Sequence, residues 1–104
     1  MVINNLNLVQ GKNIRIIELV LLCENSECNL KLKCLSEKYE VTIQCFNVSH
    51  LNIENLSAPM QIGGFEIICN KVKGWERSSN YTIRDFEENR IRFFCEDVEI
   101  MVLS

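Results

Sequence analysis

The stretch Ile14–Cys34, "IRIIELVLLCENSECNLKLKC", decides how the rest of the chain is read. Its second half alternates cleanly. Cys28, Leu30, Leu32 and Cys34 fall on one side, and Asn29, Lys31 and Lys33 on the other. That is the period of a half-buried β-strand. Its first half, Ile14–Cys23, is apolar on both parities apart from Arg15 and Glu18, which predicts a central strand buried on both faces. Between them "ENSE" (Glu24–Glu27) supplies four polar residues, so the pair reads as a β-hairpin closed by a four-residue loop.

The same period continues. "KYEVTIQC" places Tyr39, Val41, Ile43 and Cys45 inward and Glu40, Thr42 and Gln44 outward. Phe46–Leu56 stays extended, with Leu51 and Ile53 marking a further strand. "SAPMQIGG" carries the single proline and a Gly63–Gly64 pair, which read as punctuation before the strand "FEIICNKVK". "YTIRDFE" and "IRFFC" flank Glu88–Arg90 as a second hairpin, and "VEIMVL" (Val98–Leu103) is a last strand. Apolar parity slips between Cys95 and Val98, which predicts a bulge or turn at Glu96–Asp97. A short helix is expected only at the N-terminus, around "INNLNLVQ", where Ile3, Leu6 and Val9 have roughly helical spacing. The expectation is one all-β domain over residues 1–104. It has seven or eight short antiparallel strands, as a two-layer sandwich or a strongly curled sheet.

Composition agrees. In 104 residues, apolar side chains are 47% and are mostly Ile, Leu, Val, Phe and Cys, which suit a pleated half-buried surface. The net charge of −3 argues against a nucleic-acid partner, which needs a concentrated basic face. Residues 1–75 carry seven acids and seven bases, and residues 76–104 carry seven acids and four arginines. The excess negative charge therefore lies in the C-terminal third, either as a solvated face with local ion pairs or as a patch for a basic partner. The start "MVINNLNLVQGKN" lacks the marks of a secretory signal, and no apolar run is long enough for a membrane-spanning helix. The expectation is a cytoplasmic protein with reduced thiols and no membrane partner.

All six cysteines (23, 28, 34, 45, 69 and 95) fall on the apolar parity of their strands, which predicts core packing. Zinc would need four ligands within about 2.3 Å of one point. Cys28 and Cys34, six residues apart on one strand, would lie roughly 20 Å apart. No metal site and no cofactor is expected. Cys23 and Cys28 differ, since they bracket the turn and can face each other. A disulfide there is geometrically conceivable but disfavoured in a reducing interior.

His50, the only histidine, sits in polar "NVSHLN" and reads as a surface or strand-edge residue rather than as the partner of Cys45 in a dyad. Asp85 and Glu87 sit beside Arg84, Arg90 and Arg92, a pattern of cross-strand ion pairing more than of a glycosidase carboxylate pair. No phosphate-binding or nucleophile-elbow motif is present, and no catalytic residue is assigned. Trp75, the only tryptophan, lies in the polar loop "KGWERSSN", folded over a core edge or exposed as a partner anchor.

From Phe46 onward, "GFEI" (Gly64–Ile67), "GWE" (Gly74–Glu76) and "RDFEENRIRFFCED" (Arg84–Asp97) carry a likeness. The stretch resembles small bacterial proteins of unknown function, themselves similar to immunity proteins of polymorphic toxin systems. Those are short intracellular β-rich chains that bind and block a cognate toxin. The resemblance implies a protein partner, here a basic toxin domain. With the charge partition it places the contact at Trp75, Glu76, Asp85, Glu87 and Glu88. A small-ligand-binding β module and a self-associating structural subunit, as a homodimer, are the alternatives.

Overall fold

The opening hairpin forms with a tighter turn than the sequence suggests. In the computed structural model, which describes residue 9 and residues 12–36, 39–54, 60–71, 76 and 79–103, β1 (Lys12–Glu24) pairs antiparallel with β2 (Glu27–Leu35). Only Asn25 and Ser26 lie between them, with φ of 53° and 65°. Two consecutive left-handed residues make a type I′ turn, whose twist matches that of the strands. Asparagine tolerates that region, so a two-residue loop replaces the expected four. The expected N-terminal helix falls outside the described residues except for Val9, which is buried in a turn.

Six further strands complete an all-β, wholly antiparallel structure. They are β3 (Glu40–Phe46), β4 (Ser49–Ile53), β5 (Met60–Cys69), β6 (Tyr81–Asp85), β7 (Ile91–Cys95) and β8 (Asp97–Leu103). The sheet order is β4-β7-β6-β5-β1-β2-β3-β8. Its two end strands are joined to the interior by very short links. β4 follows β3 after Asn47 and Val48, and β8 follows β7 after Glu96 alone. Since β3 pairs with β8 and β4 with β7, these four strands are one long ribbon bent in the middle. The bend brings the sheet's ends together, so the sheet curls around one core.

Polar side chains pin that bend. The backbone N–H of Glu96 donates to the Phe46 carbonyl at 2.8 Å. Asn47 has φ of 54°, and its N–H donates to Asn29 Oδ1 at 3.0 Å. Asn47 Nδ2 reaches Glu96 Oε1 at 3.3 Å, and Asn80 Nδ2 donates to the Glu96 carbonyl at 3.2 Å. The parity slip expected at Glu96–Asp97 is this corner.

Inside, the alternating residues meet as the pattern requires. Leu30, Leu32, Cys34, Val41, Ile43 and Cys45 are fully buried against Ile62, Phe65, Ile83, Ile91, Phe93, Cys95 and Ile100. Three expectations are corrected. β1 is central in the order, but it is not buried on both faces. Ile14 and Ile16 are buried, whereas Leu21 and Leu22 are 44% and 64% exposed. Among the described residues β5 pairs with β1 from Lys12 to Ile16, and the further part of β1 pairs with β2. Tyr39 is exposed, just before β3 begins. Gly63 and Gly64 do not end a loop but lie inside β5, where burial parity shifts between Gly64 and Phe65.

Candidate functional site

Those two glycines lead to the best-formed surface feature, the turn between β6 and β7. A Cβ on Gly63 would fall on the Glu87 carboxylate, and one on Gly64 would lie 2.8 Å from the Phe86 ring. Both glycines therefore leave room for the Phe86 ring and the Glu87 side chain of the turn that folds back over β5. The Phe86 N–H donates to the Gly64 carbonyl at 2.9 Å.

Asp85 holds the turn from below. It is 1% exposed. Its Oδ1 accepts the Glu87 N–H at 3.1 Å and its Oδ2 the Arg90 N–H at 3.3 Å. Its carbonyl accepts the Asn89 N–H at 3.0 Å, with Asn89 at φ 54°. Arg90 Nη1 donates in turn to the Gln61 carbonyl at 3.0 Å. The loop is thus held by backbone and side-chain bonds on both sides. What it presents outward is Phe86, 49% exposed, followed by the exposed Glu87 and Glu88. Exposed Glu54, at the end of β4, bonds the far side of the turn, its N–H donating to the Arg90 carbonyl at 2.9 Å.

The residues expected to form one acidic surface are therefore divided. Glu87 and Glu88 are together and exposed. Asp85 is removed from the surface, because its carboxylate is consumed by the turn's own N–H groups. Glu76 is exposed, but it lies on the connection entering β6, at the opposite end of that strand from the turn. Five residues of strand separate the two ends by roughly 13 Å or more. Trp75 lies outside the described residues. The cross-strand ion pairing is also different from that expected. Arg84 pairs with Glu66 on β5, Nε to Oε1 at 2.8 Å, rather than with Asp85 or Glu87.

Sequence reading did not single out Phe86 or Glu54, and it took the glycine pair for a turn. A signal existed for Phe86. A large aromatic between Asp and Glu-Glu at a turn has no core parity to follow, so exposure was the consistent reading. The Gly-Gly role depended on a contact across the sheet, with no local sign.

The cysteines divide as well. Cys34, Cys45 and Cys95 are buried in the core, as expected. Burial pushes the Cys34 thiol up to about 12. Cys45 is raised well above its usual value, first by its hydrogen bond with Cys95 and then by burial. Neither is a thiolate near neutral pH, so neither is an activated nucleophile. Cys69 is exposed at the end of β5. Cys23 and Cys28 are joined by a disulfide, directly opposed in the hairpin with Cα atoms 4.0 Å apart. This overturns the expectation that all thiols are free.

His50 is exposed on β4 with φ of 55°, its ring edge-on to Phe94 at 5.7 Å. It is a strand-edge residue at a register shift in the β4–β7 pairing. Among the described residues no group of three His, Cys, Asp or Glu side chains is placed to hold a metal ion. Two surface hollows, of about 300 and 250 Å³, are lined by Asn13, Arg15, Leu35, Ser36 and Gln61, and by Leu22, Glu24, Asn25, Glu27 and Asn29. Among the described residues no helix is long and apolar enough to cross a membrane. Comparisons of the chain with protein-family models, with curated proteins and with solved structures give no match.

Proposed function

We propose that this chain is a small cytoplasmic protein-binding protein, most concretely an immunity-type inhibitor that binds and blocks a cognate toxin, with the β6–β7 turn as its contact. One observation carries the reading. A half-exposed aromatic, Phe86, sits beside two exposed carboxylates on a turn fixed in place by a buried aspartate. Aromatic anchors on rigid supports dominate binding energy, because little freedom is lost when they dock. Glu87 and Glu88 beside it suit a basic partner and would speed its approach. The likeness to immunity proteins in residues 84–97 covers this same turn.

The small-ligand alternative has less support. Residues on the inner face of the curled sheet, such as Phe65, Phe93 and Ile43, are fully buried against one another, and both described hollows are on the outer surface.

The test is growth rescue. Cells expressing the toxin encoded beside this gene should arrest, and co-expression of the wild-type chain should restore growth. The triple variant Phe86→Ala/Glu87→Lys/Glu88→Lys should fail to rescue while accumulating to the wild-type level. Rescue by the triple variant at equal abundance would reject the turn as the contact. Failure of the wild-type chain to rescue would reject the inhibitor reading.

A further inference from the structure

The end of the β1–β2 hairpin is held unequally on its two sides. The β2 arm is anchored. Its Cys28 carbonyl accepts the Val48 N–H at 2.6 Å, and Asn29 accepts the Asn47 N–H. The β1 arm is not anchored in this way. Past Ile16 it has no β5 pairing among the described residues, and beyond Leu19, which still packs against the core, its described pairing is to β2. Leu21, Leu22 and Cys23 are exposed, so burial contributes little to holding them. Beyond Leu21 and Leu30 the hairpin is two-stranded among the described residues, and such a ribbon is marginal on its own. The β1–β2 ladder and the turn hold this end, and one covalent bond, Cys23–Cys28, crosses it.

That bond is also open to reagents. Cys23 is exposed and Cys28 half-buried. In a two-residue hairpin the pair beside the turn, Glu24 and Glu27, is the hydrogen-bonded one, which leaves Cys23 and Cys28 as the closer, non-hydrogen-bonded pair. This is the site at which two facing cysteines reach each other without moving the backbone. Three of the four remaining cysteines, 34, 45 and 95, are buried.

We propose that Cys23–Cys28 is a thiol–disulfide exchange site, acted on by dithiol reductants and small disulfides, whose state sets whether the end of β1 is clamped to β2. In reduction, a thiolate of the dithiol attacks the exposed Sγ of Cys23. The protein S–S bond breaks, and Cys28 Sγ leaves with the electron pair and takes up a proton. The second thiol of the reductant, giving up its own proton, then displaces Cys23, which leaves as a thiolate and is protonated. Two protein thiols are formed and the dithiol is oxidised to a disulfide. Oxidation by a small disulfide is the reverse exchange. In an oxidising compartment the clamp is closed, and in a strongly reducing one it opens.

Thiol counting and amide exchange on the full chain test this. After equilibration with oxidised glutathione, denaturation without reductant should expose four thiols. After dithiothreitol treatment of the native protein, a small alkylating agent should label Cys23 and Cys28 and leave Cys34, Cys45 and Cys95 unlabelled. Hydrogen exchange at Leu22–Glu24 should rise about tenfold on reduction, as expected for a local opening. The Cys23→Ser/Cys28→Ser variant should exchange at the faster rate in both conditions. Six thiols after the oxidising step would overturn the site. Equal exchange at Leu22–Glu24 in the two states would overturn the clamp.

Discussion

Asp85 illustrates how a residue's chemistry and its neighbourhood give different answers. By type it is an acid in an acidic segment. By position it is a buried acceptor for two backbone N–H groups, and the turn depends on it. Replacing Asp85 by Ala leaves those donors unpaired and should lower stability by about 2 kcal/mol. Asp85→Asn keeps one acceptor oxygen and should cost about half as much. Chemical denaturation measures both, and equal stability of the three proteins would mean that the turn is held by other contacts. Cys34 gives the second prediction at this scale. Its thiol is raised from 9.0 to about 12, so the folded chain keeps a proton that the unfolded chain releases. Stability from this group is therefore present below about pH 9 and is lost as pH rises toward 12. Cys34→Ala should flatten the fall in melting temperature across that window, and an identical alkaline profile would contradict the assignment. Parity made the burial of Cys34, Cys45 and Cys95 legible, and the core at Leu30, Leu32, Val41 and Ile43, because period two is a local signal, but it put Cys23 and Cys69 in the core and both are exposed. It could not separate Asp85 from Glu87, since that depends on which carboxylate the following N–H groups reach.

Among the elements, most strands lay in stretches of visible apolar alternation, while β1 was a uniformly apolar run, β4 was signalled by Leu51 and Ile53, and only the later half of β5 was read as strand. The errors occurred where an element's surroundings differ along its length. β1 reads as uniformly apolar, yet its burial changes along its length. Ile14 and Ile16 are in the core, and Leu21 and Leu22, near the turn, are exposed although their sequence resembles that of Ile14 and Ile16. β5 shows the converse. Gly63–Gly64 has the look of a loop, yet it lies in a strand because the Phe86 ring and Glu87 occupy the space a side chain would need. The hairpin was placed correctly, but its loop was drawn two residues too long. Asn25 and Ser26 both accept left-handed backbone, and that shortens the connection to the type I′ form.

In the whole molecule, curling depends on the bent ribbon of β3–β4 and β7–β8. The corner at Asn47 and Glu96 lets eight strands share one core within 34 × 28 × 27 Å. The same curling redistributes the charge. Seven acids adjacent in sequence are placed apart. Asp85 is internal, Glu96 is at the corner, and Glu76 is at the far end of β6 from Glu87 and Glu88. An acidic third of the chain is thus not an acidic face, and the contact we propose is smaller and centred on Phe86. Calorimetric titration of the toxin domain, once identified by growth rescue, tests it most directly. The Phe86→Ala/Glu87→Lys/Glu88→Lys variant should keep the wild-type melting temperature and bind at least about a hundredfold more weakly. Wild-type affinity in that variant would contradict the account.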